Sequence, residues 1–451
     1  MPPPLSLLLG ASFVVFLLRM EHKQAPAVGR SSWIPTIWML SISTKPLGLW
    51  FGSKVQDIES GSPLDRTFLI ILLCVGIILL ARRDFNWSSA VKENAWLFIL
   101  VGFWLISILW SEIPQISFKR WTREVVAVVM AFLLLSEKNP RQALASIIRR
   151  AIYILIPFSL ILIKYYPEYG VSFGRWSGQR MWIGVATQKN GLGRLCIMSA
   201  LFLIWTLIRR LRGRDTPVHK YQTHVEILLL LLTFWLLMGP RLTLTYSSTA
   251  FFALAVALVS LAGLYWVKKR GFILSRALLK LVVFLIIVYG IITPFLGRLS
   301  IWDVSSSLGR DETLTGRTEI WAALIPFAVT RPFLGYGIGG FWTTEMRSLS
   351  ASSAHNGYLD TILNTGFVGL ILISIFLLSC CHKAHSSMVH DYDWGSLYVC
   401  YLIMSVVHNI AESSIQALSV PLTAYIVFFS FSSPSDLTVG HKEDDLMQRL
   451  E

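Results

Sequence analysis

The sequence has few charged residues for its length. Charged side chains make up 15% of the 451 residues, whereas soluble domains carry about 25%. Apolar residues make up 54% of the chain, including 17 tryptophans and 26 phenylalanines among its aromatic residues. This composition excludes a soluble globular protein. It predicts a polytopic membrane domain, because each helix that crosses a bilayer needs about 20 apolar residues.

Cysteine is scarce and forms no motif. The five cysteines lie in or beside apolar stretches, without CxxC pairing or the Cys and His spacing of a metal site: Cys74, Cys196, Cys380, Cys381 and Cys400. They are expected to pack as small apolar side chains. The glycine-rich segment 335–340 lacks a preceding strand and a Walker lysine, which excludes a nucleotide-binding loop.

The net charge of +14 does not indicate nucleic-acid binding. The basic residues lie in short loops between apolar stretches, and the positive-inside rule explains such clusters without any partner. These loops fall on alternate connections, around Arg82, Lys138, Arg209 and Lys268. They are therefore expected to face the cytoplasm.

The apolar runs predict an all-α polytopic membrane protein of about 12–13 transmembrane helices. The first run, Leu5 to Met20, lacks a basic start and a cleavage site, so it is expected to be retained. A long segment rich in aromatic residues then falls outside the cytoplasm and favours an ordered, functional loop. The expected division is N-terminal helices, a large extracytoplasmic loop, C-terminal helices and a cytoplasmic tail: 1–294, 295–360, 361–432 and 433–451.

Polar residues interrupt the apolar pattern where the chain leaves this loop. Asn356, Asp360 and Asn364 are spaced four apart, so they form one stripe on a helix. Unpaired polar groups are costly in hydrocarbon, so either other helices cover the stripe or it lines a cavity that binds a ligand. His355 precedes it and is the one histidine expected on the outer side. It is either a structural loop residue or a general base.

Positive residues on three other outward segments suggest an anion site. Lys189 and Arg194 open a predicted helix, where backbone N–H groups also attract anions. Arg241 occupies a short turn, and Arg317 lies in the long outer segment, where the positive-inside rule permits fewer cations. Two features also have structural explanations, since Lys189 alone could reach to the membrane surface and the hydroxyl run 246–249 could make helix contacts.

One further ionisable residue is expected inside the membrane. Glu412 lies in the segment Val407–Ser413 of the next predicted helix. An ionisable side chain at such depth is a functional hypothesis, and an ion pair between helices is the structural alternative.

Taken together, the motifs resemble those of a known group, the O-antigen ligase and polymerase superfamily. The segment that begins at His355 resembles its signature, and two further motifs are similar to its exopolysaccharide polymerase branch. The resemblance covers residues from about 95 to 430. Its motifs are His355-Asn356 followed by Gly366-x-x-Gly369, then Lys189-Asn190-x-x-Gly193-Arg194, and Gly316-Arg317-x-x-x-x-Trp321. This chain departs from the common pattern at Tyr246-Ser247-Ser248, where another arginine often stands.

The resemblance implies a multi-pass glycosyltransferase of the bacterial inner membrane whose active site faces the periplasm. The implied donor is a glycan on undecaprenyl diphosphate, and the acceptor is another lipid-linked repeat or a lipid A core sugar. The reaction would be inverting, with no cofactor and no metal. Membrane lipid surrounds such a protein, and other polysaccharide assembly proteins are further candidate partners; nucleic acid is not one.

Carried onto this sequence, the resemblance gives several candidate residues a role. His355 is the catalytic residue that takes the acceptor's proton. The resemblance places Arg194 and Arg317 on the diphosphate, and Arg241 matches the family less clearly. The residue pattern adds Lys189 to the expected cations and four polar residues that support the site. The cations are Arg194, Arg317, Lys189 and Arg241, and the supporting residues are Asn190, Asn356, Asp360 and Glu412.

A flippase or transporter for the same lipid-linked sugar is the alternative function. It would use the same arginines and cavity without forming a bond. A flippase should place charges deep in both halves of the bundle, whereas here they gather on the outer side. A channel or scaffold without a ligand is the third alternative.

Overall fold

The computed structural model describes residues 1–52, 62–83, 86–174, 178–214, 217, 221–242, 244–296, 312–349 and 353–432. The expected cytoplasmic tail 433–451 lies outside the described residues, as do residues 297–311 and 350–352 of the expected outer loop. The described part forms eighteen α-helices and one small antiparallel sheet.

The first ten helices lead from the N-terminus to the first of the candidate site residues. They are α1 Pro3–Gln24, α2 Trp33–Ser43, α3 Leu47–Trp50, α4 Pro63–Ala81, α5 Trp87–Glu93, α6 Ala95–Ile106, α7 Pro114–Leu135, α8 Pro140–Tyr165, α9 Pro167–Gly170 and α10 Lys189–Leu211. Between α9 and α10 lie the strands β1 Val171–Phe173 and β2 Arg180–Trp182. The remaining helices are α11 Gln222–Met238, α12 Ser248–Lys269, α13 Arg276–Ile292, α14 Glu312–Thr330, α15 Thr344–Leu349, α16 Gly357–His390, α17 Tyr392–His408 and α18 Pro421–Ser432.

The helices are those of a multi-pass, all-α membrane protein. Among the described helices, seven are long and apolar enough to cross a membrane, and an eighth is added if the sharply bent pair α5 and α6 forms one span. Each of the thirteen apolar runs of the sequence overlaps a described helix. The helices outside the seven are shorter, such as α11 and α18, or carry charges within the apolar pattern, such as α7.

The core lies around α17, in which every residue is buried. Helices α10, α12, α13, α16 and α18 pack against it. Burial falls toward the periphery, since 83% of the apolar window of α8 is buried but only 17% of that of α4. The outer helices therefore expose apolar faces that suit lipid, while the polar residues gather near α17.

The connection before α10 is tied to the start of α12. Strands β1 and β2 form a hairpin in which Val171 pairs with Trp182. The Tyr246 hydroxyl accepts a hydrogen bond from the Trp182 backbone N–H at 2.7 Å and donates to the Trp182 carbonyl at 3.3 Å. Tyr246 therefore docks on the hairpin, which holds the segment after Arg241 against the beginning of α10.

Helix α16 is interrupted at Gly366, where φ is +65° and ψ is −167°. The chain after α14 docks into this break. The Val368 N–H donates to the Phe333 carbonyl at 3.1 Å, and the Tyr336 N–H donates to the Leu363 carbonyl at 3.0 Å. A Cβ at position 366 would lie 2.2 Å from the Phe333 carbonyl carbon. Glycine is required there for both its space and its positive φ.

Gly366→Ala is expected to destabilise the protein by about 1–3 kcal/mol, because the new Cβ meets backbone at a left-handed position. Thermal unfolding of the purified protein in detergent measures the effect. Gly263→Ala is the matched control, since Gly263 of α12 has open space around its Cβ position and a helical φ. An unchanged melting temperature for Gly366→Ala would contradict the docking of this segment.

Candidate active site

One buried carboxylate joins four segments of the chain. Glu412 lies in the connection between α17 and α18, and its side chain is 5% exposed. Its Oε1 accepts from Arg317 Nη2 of α14 at 2.7 Å and from Asn190 Nδ2 of α10 at 2.6 Å. Its Oε2 lies 3.5 Å from Nδ1 of His355. These four residues are called the carboxylate cluster below.

The structure corrects the expected placement of Glu412 in a helix. Helix α17 ends at His408, because the Asn409 side chain accepts from the backbone N–H groups of Ser414 and Ile415 at 2.8 and 3.0 Å and turns the chain. Burial alone raises the pKa of the Glu412 carboxyl, but the neighbouring His355 and Arg317 outweigh burial and lower the pKa to about 2. Glu412 is therefore ionised at neutral pH.

His355 is held between two anchored residues. The Ala354 N–H donates to the Asp360 carboxylate at 3.1 and 3.2 Å, and the Ala354 carbonyl accepts from the Trp321 indole at 2.8 Å. On the other side, the Asn356 amide donates to two backbone carbonyls, both at 3.0 Å. His355 itself has a left-handed φ of +50°, which costs a non-glycine residue about 1–3 kcal/mol and recurs at functional sites.

Other elements cover the polar stripe of α16, which was one of the two expectations from the sequence. Asp360 accepts from the Trp342 indole at 2.8 Å and from the Ser413 hydroxyl. Asn356 caps the helix by accepting from two backbone N–H groups at 2.8 and 3.0 Å, and Asn364 donates to the Asp360 carbonyl at 2.8 Å. Asn356 and Asp360 are completely buried. Their bonds position the backbone beside His355.

Arg194 places an unpaired guanidinium next to the carboxylate cluster. It lies one turn after Asn190 on α10, and Coulombic attraction links it to Glu412. Among the described residues, none forms a hydrogen bond or a salt bridge with it, and its Nε is buried. A partly buried cation without a close counter-ion is unfavourable. The position therefore suits an anionic ligand.

A polar cavity of about 130 Å³ lies beside Arg194. Its walls come from the end of α2, the connection before α10, the first turns of α10 and the start of α18. The lining residues are Ile42, Ser43, Thr44, Ala186, Thr187, Gln188, Gly191, Arg194, Leu195, Met198 and Pro421. The side chain of the N-cap residue Gln188 forms no capping hydrogen bond with the first turn of α10, so the backbone N–H groups of that turn add positive partial charge to the same wall.

Two predicted cations stand apart from the carboxylate cluster. Lys189 begins α10, and its Nζ lies 5.7 Å from the centre of the Tyr246 ring. Arg241 is exposed in the turn between α11 and α12, and within the described part of the chain no residue pairs with it. The hydroxyl run after Arg241 does reach the cluster, because Thr249 Oγ1 lies 3.5 Å from Arg317 Nη1.

Sequence reasoning missed two charged residues of α7 that hold the connections around the site. Arg120 donates to the Gly339 carbonyl and contacts the Trp342 carbonyl at 3.4 Å. Glu124 accepts from the backbone N–H and the hydroxyl of Ser419 at 2.9 and 2.8 Å. The available signal was the presence of charged residues within a mainly apolar helix.

The cysteines behave as expected from the sequence. All five are free thiols, and all except Cys74 are buried. Within the described part of the chain, no group of three or more His, Cys, Asp and Glu residues could hold a metal ion. Whether the reaction needs a metal is left as a prediction from the resemblance.

Comparison with known proteins supports the motif resemblance. The family model described as O-antigen ligase matches residues 233–374, which include Arg317 and His355 but not Arg194 or Glu412. The exopolysaccharide production protein ExoQ of Rhizobium meliloti is 22% identical over 300 residues, covering 63% of each chain. The family match and both relatives support the O-antigen ligase superfamily. The similarity to ExoQ agrees with the exopolysaccharide branch suggested by the motifs.

A second protein similar to this chain is the ComP-specific O-oligosaccharyltransferase of Acinetobacter baylyi. It is 30% identical over 169 residues, which are 35% of this chain and 30% of that protein. The chain therefore matches less than two thirds of the length of either relative.

Asp360→Asn is expected to lower stability by about 1–3 kcal/mol, because the amide replaces one carboxylate oxygen with an NH₂ group that faces hydrogen-bond donors. The melting temperature in detergent measures the loss. Glu112→Gln is the control, since its carboxylate pairs with Arg331 at 2.7 Å with both side chains exposed, and such pairs contribute about 0–1 kcal/mol. Equal melting temperatures for the two variants would refute the anchoring role of Asp360.

Proposed function

We propose that the protein is a membrane glycosyltransferase that polymerises or ligates polysaccharide repeats in exopolysaccharide or O-antigen biosynthesis. Its donor is a glycan on undecaprenyl diphosphate, and its site faces the periplasm of the bacterial inner membrane. The carboxylate cluster carries the proposal, because a partly exposed imidazole and Arg317 meet at Glu412, to which the unpaired Arg194 is also attracted. The names of the two relatives, which refer to exopolysaccharide production and to oligosaccharide transfer, point to the same class of reaction.

The donor's diphosphate is assigned to the cavity wall at the start of α10. Arg194 and the free N–H groups of the first turn supply positive charge there, and a guanidinium can bind phosphate oxygens with two parallel hydrogen bonds. Arg317 approaches from α14 and shares Glu412 with the α10 residue Asn190. Lys189 and the exposed Arg241 add longer-range attraction. The polyprenyl chain lies against the apolar outer helix faces among membrane lipids.

The proposed reaction is a single displacement at the anomeric carbon of the donor. The oxygen of an acceptor hydroxyl forms the new glycosidic bond, and His355 takes the proton that this oxygen loses. The bond from the anomeric carbon to the diphosphate oxygen breaks, and the electron pair leaves with the polyprenyl diphosphate. Arg194 and Arg317 stabilise the charge that develops on this leaving group. One displacement inverts the anomeric configuration, and the step uses no metal and no cofactor.

His355→Ala is expected to lower turnover by about 10²–10⁴-fold, because the acceptor loses its general base. The assay supplies purified protein in lipid with a lipid-linked oligosaccharide and measures longer glycans and free polyprenyl diphosphate. His224→Ala, an exposed position on α11, is the control. Full activity of a folded His355→Ala variant would refute the assignment. Movement of intact donor across the membrane without elongation would instead support a flippase.

Arg194→Ala is expected to weaken donor use more than Arg241→Ala does. Arg194 lines the cavity, whereas Arg241 is exposed and has no described partner. Loss of a charge-assisted contact of about 1.5–3 kcal/mol corresponds to roughly a 10–150-fold lower kcat/KM for the donor. Steady-state kinetics with varied donor measure both variants. A larger loss for Arg241→Ala would move the diphosphate site toward the α11–α12 turn.

A further inference from the structure

We infer that Glu412 is a positioning residue for the proposed transfer: it orients the His355 ring as a base and holds Arg317 until the diphosphate binds. The inference rests on the proposed function and goes beyond it in giving the two carboxylate oxygens different partners. The oxygen near His355 has two tasks, and the oxygen near Arg317 has a third. Oε2 faces His355, while Oε1 faces Arg317 and Asn190.

The first task concerns the protonated nitrogen of the ring. His355 Nδ1 is buried, forms no hydrogen bond within the described part of the chain, and lies 3.5 Å from Glu412 Oε2. A carboxylate beside one ring nitrogen favours the tautomer with its proton on that nitrogen. Because the side chain is still 23% exposed, the accessible edge of the ring is the opposite one. Nε2 therefore presents its lone pair to the acceptor hydroxyl.

The second task concerns the imidazolium that forms when Nε2 takes the proton. The cations Arg194 and Arg317 lie around Glu412. Those positive charges oppose a further one on His355. Asp360 also attracts His355, but four donor contacts from Ala354, Trp342 and Ser413 engage its oxygens. Glu412 is therefore the carboxylate that stabilises the imidazolium most directly.

The third task concerns Arg317. Its guanidinium is 8% exposed and already pairs with Glu412 at 2.7 Å. A diphosphate must compete with that carboxylate for the guanidinium, so the pair holds Arg317 in place at some cost to donor affinity. Removing the charge of Glu412 should therefore have opposite effects on the two steps. The chemical step should slow, because His355 is no longer oriented as a base. Donor binding should be unchanged or tighter, because the diphosphate no longer competes with a carboxylate for Arg317.

Glu412→Gln tests the inference by separating kcat from KM. We expect kcat to fall by about 100-fold or more, with the KM for the donor unchanged or lower. Glu412→Asp keeps the charge on a shorter side chain and should recover at least about tenfold of that loss. Glu137→Gln is the matched control, because Glu137 also pairs with an arginine, Arg83, and is 7% exposed. That control should keep wild-type kcat and KM.

The outcomes divide clearly. A kcat within about threefold of wild type for Glu412→Gln overturns the inference, and so does a fall in kcat matched by an equal rise in KM. If Glu412→Gln does not fold, Glu412→Asp decides: a reduced kcat at wild-type donor KM supports positioning, and wild-type kcat overturns it. Failure of the wild-type protein to elongate the donor rejects the proposed function itself. Normal elongation that His355→Ala abolishes and Glu412→Gln leaves intact rejects only the role of Glu412.

Discussion

The site depends on the need to satisfy one buried carboxylate. An ionised carboxylate away from water is tolerated only when cations and hydrogen-bond donors surround it. Glu412 meets that condition through Arg317 of α14, Asn190 of α10 and His355 before α16. Since these partners come from distant parts of the chain, satisfying the carboxylate also fixes how the four segments meet. The same interaction that stabilises this end of the bundle gathers the groups proposed for catalysis.

A second set of contacts keeps the histidine in its strained backbone. Asp360 binds Ala354 on one side and the Trp342 indole on the other, while Trp321 holds the Ala354 carbonyl. These tryptophans are 4% exposed, so their indole groups serve as internal donors and are not platforms for sugar rings. The break in α16 at Gly366 anchors the chain that leads to Trp342. The break in α16 and the backbone conformation of His355 are thus linked through these contacts.

Unpaired charge is the second physical constraint on function. The buried Arg150 and Arg317 each pair with a carboxylate, Glu21 at 2.9 Å and Glu412 at 2.7 Å. Arg194 differs, because its attraction to Glu412 is through space and that carboxylate already serves three nearer groups. A cation left in this state beside a polar cavity favours an anion from outside the protein. The electrostatics therefore agree with a diphosphate donor without depending on the family comparison.

The sequence by itself determined the helical class, the apolar runs that each overlap a described helix, and the separate candidates His355, Arg194, Arg317, Asn190 and Glu412. It could do so because hydropathy, helix periodicity and short motifs are local properties. The tertiary structure alone decided which of these residues meet, since Asn190 and Glu412 are 222 positions apart and nothing local specifies their contact. It also decided that α17 ends before Glu412, that Arg241 stays outside the cluster and that Arg120 and Glu124 hold the connections around the site. Those outcomes depend on which polar groups the packed helices leave to be satisfied, and that is known only once the helices are in place.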